Sequence, residues 1–138
     1  MIQTFQNFIA GEWVRSSSGE TFDRVNPANF EEKVARYQMS DPGDVQLALD
    51  AAQKAQPAWA SIPDPQRGAI LIKAAELLER QLDRVATEMT REEGKTLPEA
   101  RGEVNRAVNI LRYFGGEGAR RGPHQTSGRG GCTTRVPR

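Results

Sequence analysis

One short segment of the sequence carries residue types that could bind a phosphate. Glu93-Gly94-Lys95-Thr96 resembles the end of a P-loop, in which backbone amides and a lysine hold the phosphates of a nucleotide. A P-loop requires a glycine five positions before Gly94, but Met89 stands there, within a segment of helical rather than strand pattern. The sequence therefore favours Gly94 as the end of one helix and Thr96 as the cap of the next.

Two further combinations have the composition of a site without its spacing. Gly116 and Gly118 begin a dinucleotide-binding GxGxxG motif, but Arg121 replaces the third glycine and no strand precedes it. His124 and Cys132 could act as base and nucleophile only if a rigid fold held them within hydrogen-bond reach, and they lie in a glycine-rich segment. One histidine and one cysteine also cannot build a zinc or iron site. We therefore expect no catalytic, cofactor-binding or metal-binding residue in this chain.

Charge divides the chain into two regions. Residues 1–117 carry 14 Lys and Arg against all 18 Asp and Glu, whereas residues 118–138 carry five arginines, five glycines and no acidic residue. We expect an ordered region over 1–117 and a disordered basic tail over 118–138. Basic tails can bind nucleic acid. This tail has no lysine and no aromatic residue to stack on bases, so nucleic-acid binding is the less favoured alternative.

The sequence contains no segment typical of a membrane or secreted protein. No apolar run approaches the ~18 residues that span a bilayer, and residues 1–10 lack the basic and hydrophobic segments of a signal peptide. The single cysteine, Cys132, excludes an intrachain disulfide. We expect a cytoplasmic protein that does not enter membranes.

Residues 1–39 are expected to form short strands. Apolar and aromatic residues on both sides of Ala10-Gly11 predict a hairpin. Thr21–Val25 predicts another strand, which Asn26-Pro27 should end because proline cannot donate to a ladder. The last strand, Lys33–Met39, alternates, which predicts one solvent-exposed face. Its two faces are Ala35, Tyr37 and Met39 on one side, and Arg36 and Gln38 on the other.

From Ser40 onward the hydrophobic period becomes helical. A first helix is expected from a cap at Ser40 or Asp41 to about Gln56, with Pro57 ending it. A second helix is expected to have its N-cap at Asp64 and Pro65 at its first position. The predicted apolar faces are Val45, Ala48, Ala52 and Ala55 on the first helix, and Ile70, Ala74, Leu77 and Leu78 on the second.

Two more helices complete the predicted order. One runs from Leu82 through Val85, Ala86 and Met89 to a stop at Gly94. Thr96 and Glu99 have the spacing of a capping box that opens the longest helix, Leu97–Phe114, which Gly115-Gly116 should end. Its predicted core face consists of Ala100, Val104, Ala107, Val108, Leu111 and Phe114, and its solvated face of Arg101, Asn105, Asn109 and Arg112.

Five segments together resemble a known family. They are Asn7-Phe8-Ile9-Ala10-Gly11-Glu12-Trp13-Val14, Val25-Asn26-Pro27-Ala28, Trp59 shortly before Arg67, Glu92-Glu93-Gly94-Lys95-Thr96, and Leu111-Arg112-Tyr113-Phe114-Gly115-Gly116-Glu117-Gly118. In this order and spacing, across about 117 of 138 residues, they resemble the N-terminal portion of NAD(P)-dependent aldehyde dehydrogenases.

The resemblance implies an α/β fold that is incomplete in this chain. Enzymes of the family have a Rossmann-like cofactor domain, a catalytic domain and an oligomerisation hairpin. They oxidise an aldehyde through a thiohemiacetal on a cysteine and pass hydride to NAD or NADP. The residues that do this, and the core strands of the Rossmann-like domain, lie downstream of the matched region, and Cys132 does not match the family's nucleophile. We expect this chain to be a fragment that binds no cofactor and is inactive by itself.

Residues 118–138 depart from the family's pattern. The family has an extended strand of its oligomerisation hairpin there, whereas this chain has mostly arginine, glycine and proline until Thr133–Pro137, which again resembles the family. We expect the family's homo-oligomer to be disrupted at this strand. The alternative from another class is a non-enzymatic helical interaction module.

The resemblance is strongest to semialdehyde dehydrogenases whose short substrates carry a distal carboxylate, such as 2,5-dioxopentanoate (ketoglutarate semialdehyde). In that fold the long helix lines the substrate entrance, and the register implies that Gly102, Glu103 and Arg106 lie there. Arg106 could hold a carboxylate at two points. The alternative, which the sequence favours, is an ion pair between Glu103 and Arg106 on a solvated face.

Overall fold

The computed structural model describes residues 2–120. Within them, strands come first and helices follow. The strands are β1 (Asn7–Ile9), β2 (Glu12–Val14), β3 (Thr21–Asn26) and β4 (Asn29–Gln38). The helices are α1 (Pro42–Ser61), α2 (Asp64–Arg80), α3 (Leu82–Glu93) and α4 (Leu97–Arg120). The order of elements predicted from the sequence is confirmed.

The strands form two antiparallel hairpins, β1 with β2 and β3 with β4. Ala10 and Gly11 join the first pair with φ of 54° and 88°, and positive φ at both central residues is what a tight hairpin turn needs. The predicted hairpin is therefore confirmed. Backbone hydrogen bonds tie the chain before β1 to β4, since the Phe5 amide donates to the Arg36 carbonyl at 2.8 Å.

The predicted solvent-exposed face of β4 is wrong at Gln38. The residue is 8% exposed, whereas Met39, expected on the opposite, inward side, is 47% exposed. The Gln38 amide nitrogen donates to the Phe5 carbonyl at 2.9 Å, and its oxygen accepts from the Ser16 amide at 3.0 Å. Alternation alone misses this arrangement because the unpaired backbone groups of another segment, rather than water, satisfy the polar side chain.

The start of α1 is fixed by two aspartates. Asp41 is the N-cap, and its carboxylate accepts from the Asp44 amide while Asp44 reaches back to the Asp41 amide, each at 3.0 Å. Asp44 is buried and also accepts from the Ser16 hydroxyl at 2.6 Å and the Ser17 amide at 3.0 Å. The loop after β2 is therefore held against the start of the helix.

Pro57 does not end α1, contrary to the prediction. The helix continues to Ser61 with Pro57 inside it. The carbonyl that a proline leaves without a partner belongs to Gln53, in an exposed stretch where water can satisfy it. The predicted apolar face of α1 is also not buried among residues 2–120, because Val45 is 56% exposed and this helix contacts mainly β1.

The most extensive packing between two helices is that of α2 against α4, and glycines lie where they meet. A Cβ added to Gly115 would come within 3.0 Å of the Gly68 carbonyl oxygen, and one on Gly118 would overlap the Asp64 carbonyl. The predicted end of α4 at Gly115-Gly116 is therefore wrong. These glycines permit close approach inside the helix instead of ending it.

The boundaries and faces of α2 need corresponding corrections. Its N-cap is Pro63 rather than Asp64. The predicted face is wrong at Ile70 and Leu77, which are exposed, as is Phe114 on α4. The contact instead buries small residues, Gly68 and Ala75, because only small side chains fit where the two backbones lie so close.

The main core lies between α3 and α4. Ala86, Ala100 and Val104 are buried, and they are surrounded by Leu78, Leu82, Val85, Met89 and Leu97. The predicted core positions of α3 and of the first half of α4 are confirmed. So is the solvated face of α4, where Arg101, Asn105, Asn109 and Arg112 are all exposed.

Part of the predicted tail lies within the described residues. Residues 118–120 belong to the last turn of α4, whereas the remainder, with His124 and Cys132, lies outside the part of the chain that the structure describes. Among the helices of residues 2–120, none has the combined length and apolar character needed to cross a bilayer.

The hairpin β3–β4 predicts a loss of stability in acid. Asp23 accepts from Lys33 Nζ and Arg36 Nε, each at 2.7 Å, and the bond from Arg36 is the largest cause that lowers the pKa of Asp23 to about 2. Because the folded pKa lies below the unfolded value of about 4, this stabilisation is present above pH ~4 and is lost as the pH falls toward the folded pKa. Thermal melts followed by circular dichroism should show a falling midpoint over this range.

Asp23→Asn should reduce that dependence on acid, although the pKa of Asp44 is also lowered, mainly by its bond from Ser16, and adds to the loss. Asp50→Asn, on the exposed side of α1, is the matched control and should melt like the original chain at each pH. An unchanged acid dependence in Asp23→Asn would show that this carboxylate does not contribute.

Candidate functional site

The candidate residues Gly102, Glu103 and Arg106 lie on the exposed side of the first half of α4. Ala100 and Val104 of the same helix are instead buried against α3. The start of this helix is set by Thr96, whose amide and hydroxyl donate to the Glu99 carboxylate at 3.1 and 2.7 Å. The helical repeat places residues 102 and 106 on neighbouring turns of one face.

Gly102 leaves this surface open. A Cβ at this position would meet nothing within 4 Å, so no packing contact requires a glycine there. A glycine inside a helix is unfavourable by about 1 kcal/mol relative to alanine. Its effect here is to remove side-chain bulk beside the next turn, where Arg106 lies.

Glu103 is bound by a residue that sequence reasoning did not assign to the site. Lys95 Nζ donates to Glu103 Oε1 at 2.6 Å and lies 2.5 Å from Glu93 Oε2. The ion pair expected as the alternative, between Glu103 and Arg106, is not formed. Among residues 2–120, Arg106 makes no salt bridge to a carboxylate.

Lys95 was missed because helical spacing offered Arg106 as the partner of Glu103, and Lys95 lies outside the helix that carries both residues. Gly94 adopts φ of 76° and caps α3, and its amide donates to the Thr90 carbonyl at 2.9 Å. This left-handed residue turns the chain, so that Lys95 precedes α4 and faces Glu103 in the second turn of that helix. The known pairing rules on a helix join residues three or four apart, whereas Lys95 and Glu103 are eight apart, so the sequence carried no signal for this contact.

The glycine-rich segments of the described region do not fit a nicotinamide dinucleotide. Gly115, Gly116 and Gly118 lie inside α4, where backbone amides are already bonded within the helix. Gly94 caps α3 and is not part of a strand-to-helix turn. Among residues 2–120, no group of three or more His, Cys, Asp or Glu is placed to hold a metal ion. The glycines of residues 2–120 therefore supply no cradle for a pyrophosphate.

A mainly aromatic cavity lies where α1 ends, α2 begins and α4 ends. Trp59, Arg67, Tyr113 and Phe114 line a cavity of about 420 Å³ there. Arg67 donates through one terminal nitrogen to Asp64, while its Nε is buried and has no partner among residues 2–120. Two of the motifs that carry the family resemblance therefore meet in space.

The sequence matches the profile of the aldehyde dehydrogenase family over residues 13–138. The chain belongs to the aldehyde dehydrogenase family. The match includes residues 118–138, although their composition differs most from the pattern expected from the resemblance. Membership of this family favours a dehydrogenase over both alternatives, the helical interaction module and the nucleic-acid binder.

A curated relative agrees with the subgroup suggested by the motifs. The chain is 46% identical over 118 residues to the alpha-ketoglutaric semialdehyde dehydrogenase of Bacillus subtilis strain 168, covering 86% of this chain and 24% of that protein. The chain thus spans about a quarter of the length of the curated relatives that it matches. The predicted resemblance to ketoglutarate semialdehyde dehydrogenases is confirmed at the level of sequence.

Solved structures place the fold in the same family. An NADP-dependent enzyme of Escherichia coli superposes with a TM-score of 0.81 at 34% identity, covering 90% of this chain and 27% of that one. An NAD-dependent aldehyde dehydrogenase from Sinorhizobium meliloti gives a TM-score of 0.80 at 29% identity, covering 85% and 24%. The strands and helices described above are therefore the N-terminal part of the aldehyde dehydrogenase fold, as predicted.

Proposed function

We propose that this chain forms the N-terminal section of an NAD(P)-dependent dehydrogenase that oxidises a short semialdehyde, 2,5-dioxopentanoate, to the dicarboxylate. The observation that carries this proposal is the 46% identity to the alpha-ketoglutaric semialdehyde dehydrogenase of Bacillus subtilis. The proposal includes a cytoplasmic homo-oligomer as the complete enzyme.

The part of this chain in the reaction is to bind the end of the substrate that does not react. Arg106 is exposed on α4 and has no carboxylate partner among residues 2–120, so its planar guanidinium can donate two parallel hydrogen bonds to a carboxylate. Gly102 supports this role because position 102, one turn before Arg106, carries no side chain that could block access to the guanidinium. Fixing the distal carboxylate would orient the aldehyde carbon toward the reacting groups.

The chemical step belongs to residues outside the described region. NAD or NADP accepts the hydride when bound to the complete enzyme, and residues 2–120 contribute neither a nucleophile placed beside a base nor a pyrophosphate cradle. We therefore propose that the 138-residue chain binds substrate weakly and turns none over.

A hybrid enzyme tests the proposal. The matched 118 residues of the Bacillus subtilis enzyme are replaced by those of this chain, and NADH or NADPH formation is followed at 340 nm. The hybrid should oxidise 2,5-dioxopentanoate with a kcat/KM at least about tenfold above that for pentanal, because a charged hydrogen bond contributes roughly 1.5–3 kcal/mol. The isolated chain is the control and should give no signal.

Two results would count against the proposal. A folded hybrid that prefers pentanal would show that 2,5-dioxopentanoate is not the substrate. Steady turnover by the isolated 138-residue chain would show that it holds a complete site, and Cys132→Ala would then show whether that cysteine is the nucleophile.

A further inference from the structure

Lys95 is less exposed than Glu103, the carboxylate that it binds. Its side chain is 20% exposed, whereas that of Glu103 is 53% exposed. Its ammonium contacts Glu103 Oε1 at 2.6 Å and Glu93 Oε2 at 2.5 Å. These two contacts, that with Glu103 first, raise the pKa of Lys95 above its ordinary value.

Glu103 and Arg106 would otherwise be natural partners. They lie three residues apart on one face of α4, a spacing at which opposite charges on a helix attract each other. A Glu103 carboxylate on the Arg106 guanidinium would occupy the donors that a substrate carboxylate needs, and its negative charge would oppose an anionic substrate.

The structure resolves this competition in favour of Lys95. A lysine side chain that is largely packed against the protein loses less freedom when it forms an ion pair than an exposed arginine side chain does. Other acidic side chains do not take the place of Glu103, since Arg106 makes no salt bridge within residues 2–120 and residues 121–138 contain no Asp or Glu.

We infer that Lys95 is a positioning residue for recognition of an anionic substrate: by binding Glu103 it keeps the Arg106 guanidinium uncompensated. The inference rests on the proposed function of α4 for its biological meaning. Whether Glu103 pairs with Lys95 or with Arg106 can be measured without substrate.

Chemical modification of the 138-residue chain tests that choice. Phenylglyoxal reacts with a guanidinium that has lost its proton, so an adjacent carboxylate slows the reaction. Peptide mass spectrometry gives the rate at each arginine. Glu103→Gln should leave the rate at Arg106 unchanged, because Glu103 is engaged by Lys95. Lys95→Met should slow it about twofold, as Glu103 turns to Arg106.

The double variant Lys95→Met with Glu103→Gln should restore the original rate at Arg106. Arg101, whose Nε donates to Asp83 Oδ1 at 2.8 Å on the same helix, is the internal reference and should react at one rate in all four proteins. Faster modification of Arg106 in Glu103→Gln alone would overturn the inference, since it would show that Glu103 already pairs with Arg106.

The hybrid enzyme separates this inference from the proposed function. Lys95→Met should lower kcat/KM for 2,5-dioxopentanoate and leave that for pentanal unchanged. If the hybrid is unselective but the modification rates are as expected, the carboxylated substrate is rejected and the pairing of Lys95 with Glu103 is supported. If the hybrid is selective as expected but the modification rate of Arg106 does not depend on Lys95, the proposed substrate is supported and the role of Lys95 is rejected.

Discussion

Arg106→Ala in the hybrid enzyme is expected to lower kcat/KM for 2,5-dioxopentanoate by about 10- to 100-fold, the loss typical of one charged hydrogen-bonding contact. Pentanal, which has no distal carboxylate, should be oxidised at nearly the original rate. Steady-state kinetics with both substrates at 340 nm give the two values. The difference between them, rather than either loss alone, identifies a carboxylate contact.

Two further variants control this experiment. Arg106→Lys should recover only part of the loss, because an ammonium cannot make the planar two-point contact. Arg101→Ala removes another exposed arginine of α4, one already bound to Asp83, and should affect neither substrate. Equal losses for both substrates in Arg106→Ala would reject the carboxylate contact and leave Arg106 with a structural role.

Gly68→Ala is expected to destabilise the chain by about 1 to 3 kcal/mol, the range for inserting a methyl group into a packed contact. The new Cβ would overlap the Gly115 carbonyl oxygen and lie 3.3 Å from its carbonyl carbon. Both atoms are backbone, so the strain can be relieved only by separating α2 from α4. Urea unfolding of the 138-residue chain, followed by circular dichroism at 222 nm, measures the change.

Gly102→Ala is the control, and it should change the free energy of unfolding in the opposite direction. Gly102 also lies inside α4, but its added Cβ meets nothing within 4 Å. Alanine there should raise the free energy of unfolding by about 0.5–1 kcal/mol, because it restricts the unfolded chain and favours the helix. A stabilising Gly68→Ala would mean that the two helices do not approach as closely in solution.

Much of the fold could be predicted because local signals decide it. Asp41 caps α1, Gly94 ends α3, and Thr96 with Glu99 opens α4, each through contacts within a few residues. The errors at Pro57 and Gly115 have a different cause. Both residue types usually end a helix, and whether they do so depends on exposure or on a second helix, which a single sequence does not show.

The candidate site shows the same division. The sequence could place Gly102, Glu103 and Arg106 on one face of α4, since helical spacing decides that. It could not decide which cation holds Glu103, because Lys95 reaches it only through the turn that Gly94 makes between two helices. Helical spacing favoured Arg106, and the tertiary arrangement instead provides a better-buried partner.

Deamidation of Gln38 would weaken the connection between the two hairpins. Deamidation would replace the nitrogen that donates to the Phe5 carbonyl with an oxygen that cannot donate, while the oxygen that accepts from Ser16 would stay. Two acceptors would then face each other in a buried place, one of them charged. The segment before β1 would thus lose one of its attachments to β4 when one nitrogen is replaced by one oxygen.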